Sequence, residues 1–560
     1  MAHTRLFDQL RRVFKIAELC ERDGLSTRDG LARVEELREQ ERRALSRRAV
    51  LKGAAVAAVA AGVSRRAFAQ GGSAPRIAII GAGMAGLVAA DRLRAKGYSA
   101  TIYEANSRVG GRVKSVRGTF PGQVGDAGGE LIDNLHKTML AYANEFGLAK
   151  EDLGKEPGVR PFFFGGQHYT EEEVVDEYRE LVPRVRADLK NSSGVPTFYA
   201  YTAGDLFLDQ MDLATWLGTR GAGLPLVQGV LEQAYVAEYG LELAEQSSLN
   251  MLLFIHADRA SKFREFGVWS DERYHLVGGN DAIATNIRAR LPGPVNMGAE
   301  LVRLGKNASG EYEMWFKNAS VPERADAVIL AIPFSVLRRV TLDASLGLSA
   351  DKLRAINTLG YGANCKTMIG FNGKPWLDQG KCGLIYADLP NLKNTWETNY
   401  TAAGATSILT DYASGNRARA LQLPPPPPGS TSSCNNCHNG PGGFFDIQDA
   451  LMQTQVDAFL TDLNQVIPGA KARATKVGGK YVFRRGHWLP QAFSRGSYTC
   501  YLPGQFTGVC GLEGESAGTL KFAGEHANSF YEWQGFMEGA CLSGIAAAND
   551  VLSDIQSGRI

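Results

Sequence analysis

Three glycines at fixed spacing carry the first chemical signal in this chain. Gly81, Gly83 and Gly86 stand in "RIAIIGAGMAGLVAADRLRAKGYSATIYEANSRVGGRVKS", residues 76–115. The short apolar run Ile77–Ile80 reads as a buried strand, and the residues from Met84 to Lys96 read as a helix. A strand, a glycine turn and a helix N-terminus together make a phosphate cradle. Gly81 permits the tight turn, Gly83 lets backbone N–H groups reach a pyrophosphate, and Gly86 lets the helix pack on the strand. Glu104 ends the next strand, "SATIYEA", about 20 residues on, where a carboxylate accepts from ribose hydroxyls. The same carboxylate would repel a 2′-phosphate, which disfavours NADP. A nicotinamide and a flavin dinucleotide both satisfy this much.

The residues beyond Glu104 separate the two. "RVGGR", Arg108–Arg112, begins directly after it, and no simple NAD fold requires that stretch. Four further stretches occur in order: "GDAGGELI" (125–132), "YHLVGGNDAIATNIRARL" (274–291), "AELVRL" around Val302, and "FAGEHANSFYEWQGFMEGA" (522–540). With them the chain resembles the FAD-dependent amine oxidase family, which includes monoamine, polyamine and L-amino-acid oxidases. The resemblance implies non-covalent FAD held by Gly81, Gly83, Ala85 and Gly86, by Glu104 and Ala105, and by Arg112 on the pyrophosphate. It places Gly128, Gly129, Glu130 and Leu131 beside the flavin ring, Val302 at the adenine, and Glu525 on the ribityl or phosphate side. Gly535, Phe536 and Met537 would open a helix aimed at the pyrimidine edge of the flavin, where a helix N-terminus favours negative charge.

The same resemblance supplies catalytic positions. "GANCKTMIGFNGKPW" (362–376) is similar to the segment whose Lys holds a water against flavin N5, which implies Lys366. "GHWLPQAFSRGSYTCYLPG" (486–504) is similar to the segment bearing one wall of an aromatic cage, which implies Tyr498, with Phe536 opposite. Two ring faces either side of an amine align it and favour positive charge developing on its carbon. Trp488 and Trp533 fall near the ring by the same matching. The implied reaction converts a primary amine or L-amino acid, O2 and water to a carbonyl compound, ammonia and H2O2. A dehydrogenase passing electrons to a cytochrome or quinone is one alternative, and a desaturase or isomerase of the same fold another. Two departures bear on this reading. Where animal monoamine oxidases carry a flavin-linking Cys before the cage Tyr, this chain has Ser497. Where many L-amino-acid oxidases place a carboxylate-binding Arg just after the Gly-Gly segment, it has "GGELID". No metal motif or nucleophilic triad is present, and His136, His256, His275, His487 and His526 read as packed or solvated residues.

The elements that must position these groups imply an α/β protein: a Rossmann-type FAD-binding domain assembled from separated segments, plus an inserted α+β substrate domain. FAD-binding stretches are expected at 75–150, 272–355 and 488–560, and substrate-domain stretches at 151–271 and 356–487. Residues 130–265 read as mainly helical, "LVRLGKNASGEYEMWFKN" as a hairpin turning near Asn307–Gly310, and "ADAVILAIP" and "GTLKFAGE" as strands. A hydrophobic fraction of 44% in 560 residues suffices for a large core. The formal net charge of +2 gives no ground for nucleic acid as a partner.

Residues 1–69 read as a presequence. Ser46-Arg47-Arg48, a short Ala/Val stretch and Ala67-Phe68-Ala69 match a twin-arginine signal, which implies the translocase as partner and a periplasmic or secreted, cofactor-loaded product. Residues 1–45 ahead of it read as solvated helix of unknown role. Seven of the eight Cys come after Ala69, an odd number that argues against a disulfide framework. Residues 421–443 read as an exposed Pro-rich loop whose Cys434, Cys437 and His438 match haem-attachment spacing. A disulfide or a loosely held metal is the more ordinary use of those residues. The sequence leaves a homodimer open.

Overall fold

The computed structural model describes residues 13, 16–34, 74–256, 272–401, 406–421, 444–445, 450–528 and 533–560. The twin-arginine stretch and the CxxCH stretch lie outside the described residues. Along the chain run β1 (Ile77–Ile80), α1 (Met84–Arg94), β2 (Ala100–Glu104), α2 (Glu171–Leu189), α3 (Pro225–Tyr239), β3 (Val295–Met297), β4 (Ala327–Leu330), β5 (Asn364–Asn372), β6 (Asn394–Glu397), β7 (Thr406–Ser414), β8 (Phe483–His487), β9 (Leu520–Phe522) and α4 (Met537–Gln556).

One sheet is wholly parallel, in the order β9–β4–β1–β2–β3. Its central strands read Ile-Ala-Ile-Ile and Ala-Val-Ile-Leu and are buried at every position. Continuous apolar runs of this kind suit a parallel sheet covered on both faces. Helices α1 and α4 share one of its two apolar cores. They cross so closely that a Cβ on Gly544 would lie 2.3 Å from the Ala85 carbonyl oxygen. The strands of this sheet come from three stretches far apart in sequence, around residues 77–104, 295–330 and 520–522. Mixed α/β architecture with a Rossmann-type parallel sheet is therefore what the chain adopts.

A second, eight-stranded sheet contains β8, β5, β7 and β6 as consecutive antiparallel neighbours. In this sheet Lys366 on β5 pairs with Tyr412 on β7, and Trp396 on β6 pairs with Thr410. Side chains alternate faces along a strand, so Lys366, Tyr412 and Trp396 share one face. That face looks towards the parallel-sheet unit.

The helices of this half begin as their sequences dictate. Thr170 and Glu173 form a capping box at α2, behind three acids in its first turn. Pro225 opens α3, and Gly240 closes it at φ 69°. The hairpin falls where the sequence places it, with Leu301–Lys306 antiparallel to Tyr312–Phe316.

Two expectations change. The stretch read as mainly helical also contains strands Lys150–Asp152, Phe162–Phe164 and Gln167–Tyr169. The first pairs with Tyr274–Leu276 and the second with Ile385–Ala387, partners more than a hundred residues away that no local pattern reveals. Within residues 1–45, read as solvated, Ile16, Ala17 and Cys20 are fully buried. Their apolar face has a protein partner instead of water.

Candidate active site

A cavity of about 580 Å³ lies between the two sheets. It begins at the turn after β1. Gly81 takes φ 103°, a conformation only glycine adopts cheaply, and its N–H donates to the Tyr103 carbonyl at 2.7 Å. Gly83 is the N-cap of α1, and no side chain caps its first amides. A Cβ there would meet nothing nearer than Gly111 Cα at 3.9 Å, so the space above it belongs to the cavity. The amides at the start of α1 and the positive end of the helix dipole face that space, a ready site for phosphate oxygens. At the C-terminus of β2, Glu104 accepts from Ala82 N–H at 2.7 Å and Asn106 N–H at 2.8 Å. Burial pushes its carboxyl up, while those two amides and Arg108 oppose the shift. Each oxygen keeps a lone pair for a ribose hydroxyl. The donor set thus fits a dinucleotide.

A second helix N-terminus opens at the other end. Phe536 is the N-cap of α4, again without a side-chain cap. Glu525 organises the turn before it, accepting from Gly535 N–H at 2.9 Å and Thr499 Oγ1 at 2.7 Å. Its other oxygen takes Arg112 Nη1 at 2.8 Å, and Arg112 also donates to the Ser497 carbonyl at 2.8 Å. Burial works against the Glu525 charge, yet Arg112, His526 and these hydrogen bonds hold its carboxyl below the ordinary range. Glu525 thus ties Arg112 to the α4 turn, and both residues line the cavity.

Lys366 is anchored at the junction of the two sheets. Its ammonium donates to the Asp126 carbonyl at 3.2 Å, the Gly128 carbonyl at 2.9 Å and Glu130 Oε2 at 2.5 Å. Trp396 Nε1 donates to the other Glu130 oxygen at 3.1 Å. All three Lys366 donors have protein acceptors, which fix the ammonium in place. Tyr412, directly opposite on β7, shares a hydrogen bond of 2.8 Å with the Tyr498 hydroxyl. Burial, with Tyr412 beside it, pushes the Tyr498 phenol up, so both rings stay neutral. Phe536 is held by the edge of His136, ring centroids 4.9 Å apart.

Of the residues expected from the sequence, Gly81, Gly83, Ala85, Glu104, Ala105, Arg112, Gly128, Gly129, Glu130, Leu131 and Val302 all line this one cavity. Lys366, Tyr498, Glu525, Gly535, Phe536 and Met537 line it too. Gly86 does not; it serves the packing beneath. Trp488 is in the wall, donating Nε1 to the Ala127 carbonyl at 3.0 Å, and Trp533 is not. None of the histidines whose side chains are described lines it. His526 is buried and driven down to about 3, and His275 is joined to Glu151. Tyr412 and Glu272 are cavity residues that the sequence reading missed, and the Trp396 ring packs on Tyr412, centroids 5.1 Å apart.

Asp126 yields a pH prediction. It is wholly buried, accepts from Ser115 Oγ at 2.6 Å, and burial raises its carboxyl from 3.8 to about 7. The folded state thus binds a proton more tightly than the unfolded chain. This contribution to stability is complete below pH 3.8 and is lost as pH rises through about 7. Asp126→Asn should raise the melting temperature above pH 7, removing a loss on the order of 4 kcal/mol, and change it little near pH 4. Thermal melts at the two pH values check this; an equal shift at both would contradict it.

Known proteins agree with this geometry. The family model described as flavin-containing amine oxidoreductase matches residues 84–428 and 451–552. An L-amino-acid oxidase of Pseudechis australis is 23% identical over 504 residues, covering 85% of this chain and 86% of that one. Another, of Demansia vestigiata, is 24% identical over 492 residues, with 85% and 86% covered. Among solved structures, cyclohexylamine oxidase from Brevibacterium oxydans superimposes with a TM-score of 0.70 at 19% identity, covering 86% of this chain and all of that one. A putrescine oxidase bound to putrescine gives 0.68 at 17% identity, with 86% and 99% covered.

Proposed function

Since the chain belongs to the flavin-containing amine oxidoreductase family, we propose that it oxidatively deaminates a small amine with O2 as acceptor, releasing a carbonyl compound, ammonia and H2O2. The observation that carries the proposal is convergence. A dinucleotide cradle, a buried ammonium and a cage of Tyr498, Tyr412 and Phe536 open into one cavity.

FAD, when bound, would supply the acceptor for the equivalent of hydride from the carbon bearing nitrogen. The chain's own residues do the rest. Tyr498 and Phe536 confine the amine and favour positive charge on that carbon. The amides at the start of α4 would favour negative charge on a flavin edge bound beside them. Lys366 supplies fixed positive charge where electrons leave for O2, and the enclosed wall keeps bulk water from the reacting carbon.

The residues after the Gly-Gly segment favour an amine over an α-amino acid. Leu131 and Glu130 stand where a carboxylate-binding Arg would succeed the Gly-Gly segment. Glu272 is a further carboxylate in the lining. Arg112 is engaged by Glu525, and Arg108 by the Val109, Gly111 and Val113 carbonyls. An L-amino-acid substrate is the second reading, supported by the two L-amino-acid oxidases above. A peroxide-coupled assay of the purified holoprotein against primary amines and L-amino acids decides between them. Reduction of the flavin by amines without peroxide would instead favour electron transfer to a cytochrome or quinone.

The same proposal includes the five-stretch division into FAD-binding and substrate domains and twin-arginine export to the periplasm or medium. With Ser497 in place of a linking Cys, the cofactor is held without a covalent bond. Acid precipitation should leave the yellow colour in the supernatant, and a yellow pellet would contradict this.

A further inference from the structure

The N-terminal residues of the chain make contacts that neither the flavin site nor an export signal requires. Helical residues 16–23 and 27–34 fold against each other, Gly30 sitting so close to Cys20 that a Cβ would lie 2.2 Å from its Sγ. Ile16, Ala17 and Cys20 are fully buried, and Thr27 and Val34 nearly so. Their polar ties go to α2. Arg179 Nε meets Glu21 at 2.7 Å, Arg179 Nη1 donates to Thr27 Oγ1 at 3.0 Å, Thr27 Oγ1 bonds Asp176, and Arg186 meets Glu18 at 3.3 Å. Asp176, Arg179 and Arg186 are three and seven residues apart, so they form a single stripe on α2. Partly exposed ion pairs contribute little alone. Here they flank a dry apolar contact and fix its register. α2 in turn packs on α3, whose Ala237 carbonyl accepts from the Tyr498 hydroxyl at 3.3 Å.

We propose that residues 16–34 are a resident clasp on α2, a permanent part of the folded enzyme instead of a piece discarded with a leader. Cutting the chain between residues 34 and 74, including after Ala69, leaves this clasp bound as a small non-covalent subunit.

The test uses the full-length holoprotein with a site-specific protease sequence inserted between Gly62 and Val63. After cutting, the N-terminal fragment should co-elute with the catalytic body in gel filtration, and hydrogen exchange should show residues 16–34 and α2 protected before and after the cut. Glu21→Arg places two cations together and should speed exchange in the clasp by about tenfold. The charge swap Glu21→Arg with Arg179→Glu should restore protection. Clean separation of the wild-type fragment, unprotected exchange of residues 16–34 in the uncut chain, or a double variant no better than the single would each overturn the proposal. None of these readouts depends on turnover, so an enzyme inactive towards every amine would leave the result standing.

Discussion

Lys366→Met is expected to slow reoxidation of the reduced enzyme by O2 by about 10²–10³-fold, while slowing reduction by substrate less than about tenfold. In the proposed reaction, passing electrons to O2 develops negative charge inside the protein. There a fixed ammonium is worth far more than in solvent. The amine, by contrast, is proposed to be positioned by Tyr498 and Phe536, and the Lys366 ammonium bonds to the Asp126 and Gly128 carbonyls and Glu130 instead. Stopped-flow measurement of the two half-reactions separates the effects, and equal slowing of both would sink the assigned role. The substitution carries a second consequence. Glu130 is 3% exposed, and without Lys366 its carboxylate keeps only the Trp396 N–H. An uncompensated buried charge costs roughly 3–5 kcal/mol, so Lys366→Met should also lower the melting temperature. Adding Glu130→Gln removes the orphaned charge and should recover most of that stability without recovering reoxidation. If the double variant reoxidises as fast as the parent, the ammonium is not the group that matters.

How much of this site the sequence displays depends on how locally each part is built. The cradle is local: strand, Gly81 turn and helix occupy fewer than twenty consecutive residues, and their period and punctuation suffice to place them. Lys366, Tyr498 and Phe536 were legible through short stretches matching a family pattern. Tyr412 was not, because nothing in "TSILTDYAS" marks it. Only the pairing of β5 with β7 sets it opposite Lys366 and turns it to the same face. The carboxylates were read as site residues, and what the sequence does not display is their protein partners. Glu130 pairs with Lys366 and Glu525 with Arg112, each more than two hundred residues away. The amphipathic pattern of residues 16–34 is equally silent, since an apolar stripe reads alike whatever covers it. Its cover is α2, whose contacts with it lie 149–158 residues further along the chain.

The glycines of the cradle look interchangeable in the sequence, and the structure predicts opposite outcomes for two of them. Gly83→Val should fold with a melting temperature close to that of the parent apoprotein yet fail to bind FAD. Its φ of −71° is open to any residue, and a Cβ there meets no protein atom nearer than 3.9 Å. The added side chain therefore projects into the cavity, over the α1 amides that phosphate oxygens must reach, and a clash there is felt only by the cofactor. Gly86→Val should fail at the earlier stage. A Cβ at that position would lie 2.0 Å from the Gly81 carbonyl oxygen and 3.1 Å from an Ile79 side-chain carbon, inside the contact between β1 and α1. Backbone on the first strand of the parallel sheet cannot yield as a flexible side chain would, so the helix must move off the sheet or the chain must stay unfolded. Overpacking of this kind typically costs about 1–3 kcal/mol, and more where the obstacle is backbone. Circular dichroism melts of both apoproteins, with FAD fluorescence titrations, distinguish the two failures. A Gly83→Val protein that retains flavin would show that the cofactor phosphates do not sit at the α1 N-terminus, and the cradle would have to be placed elsewhere.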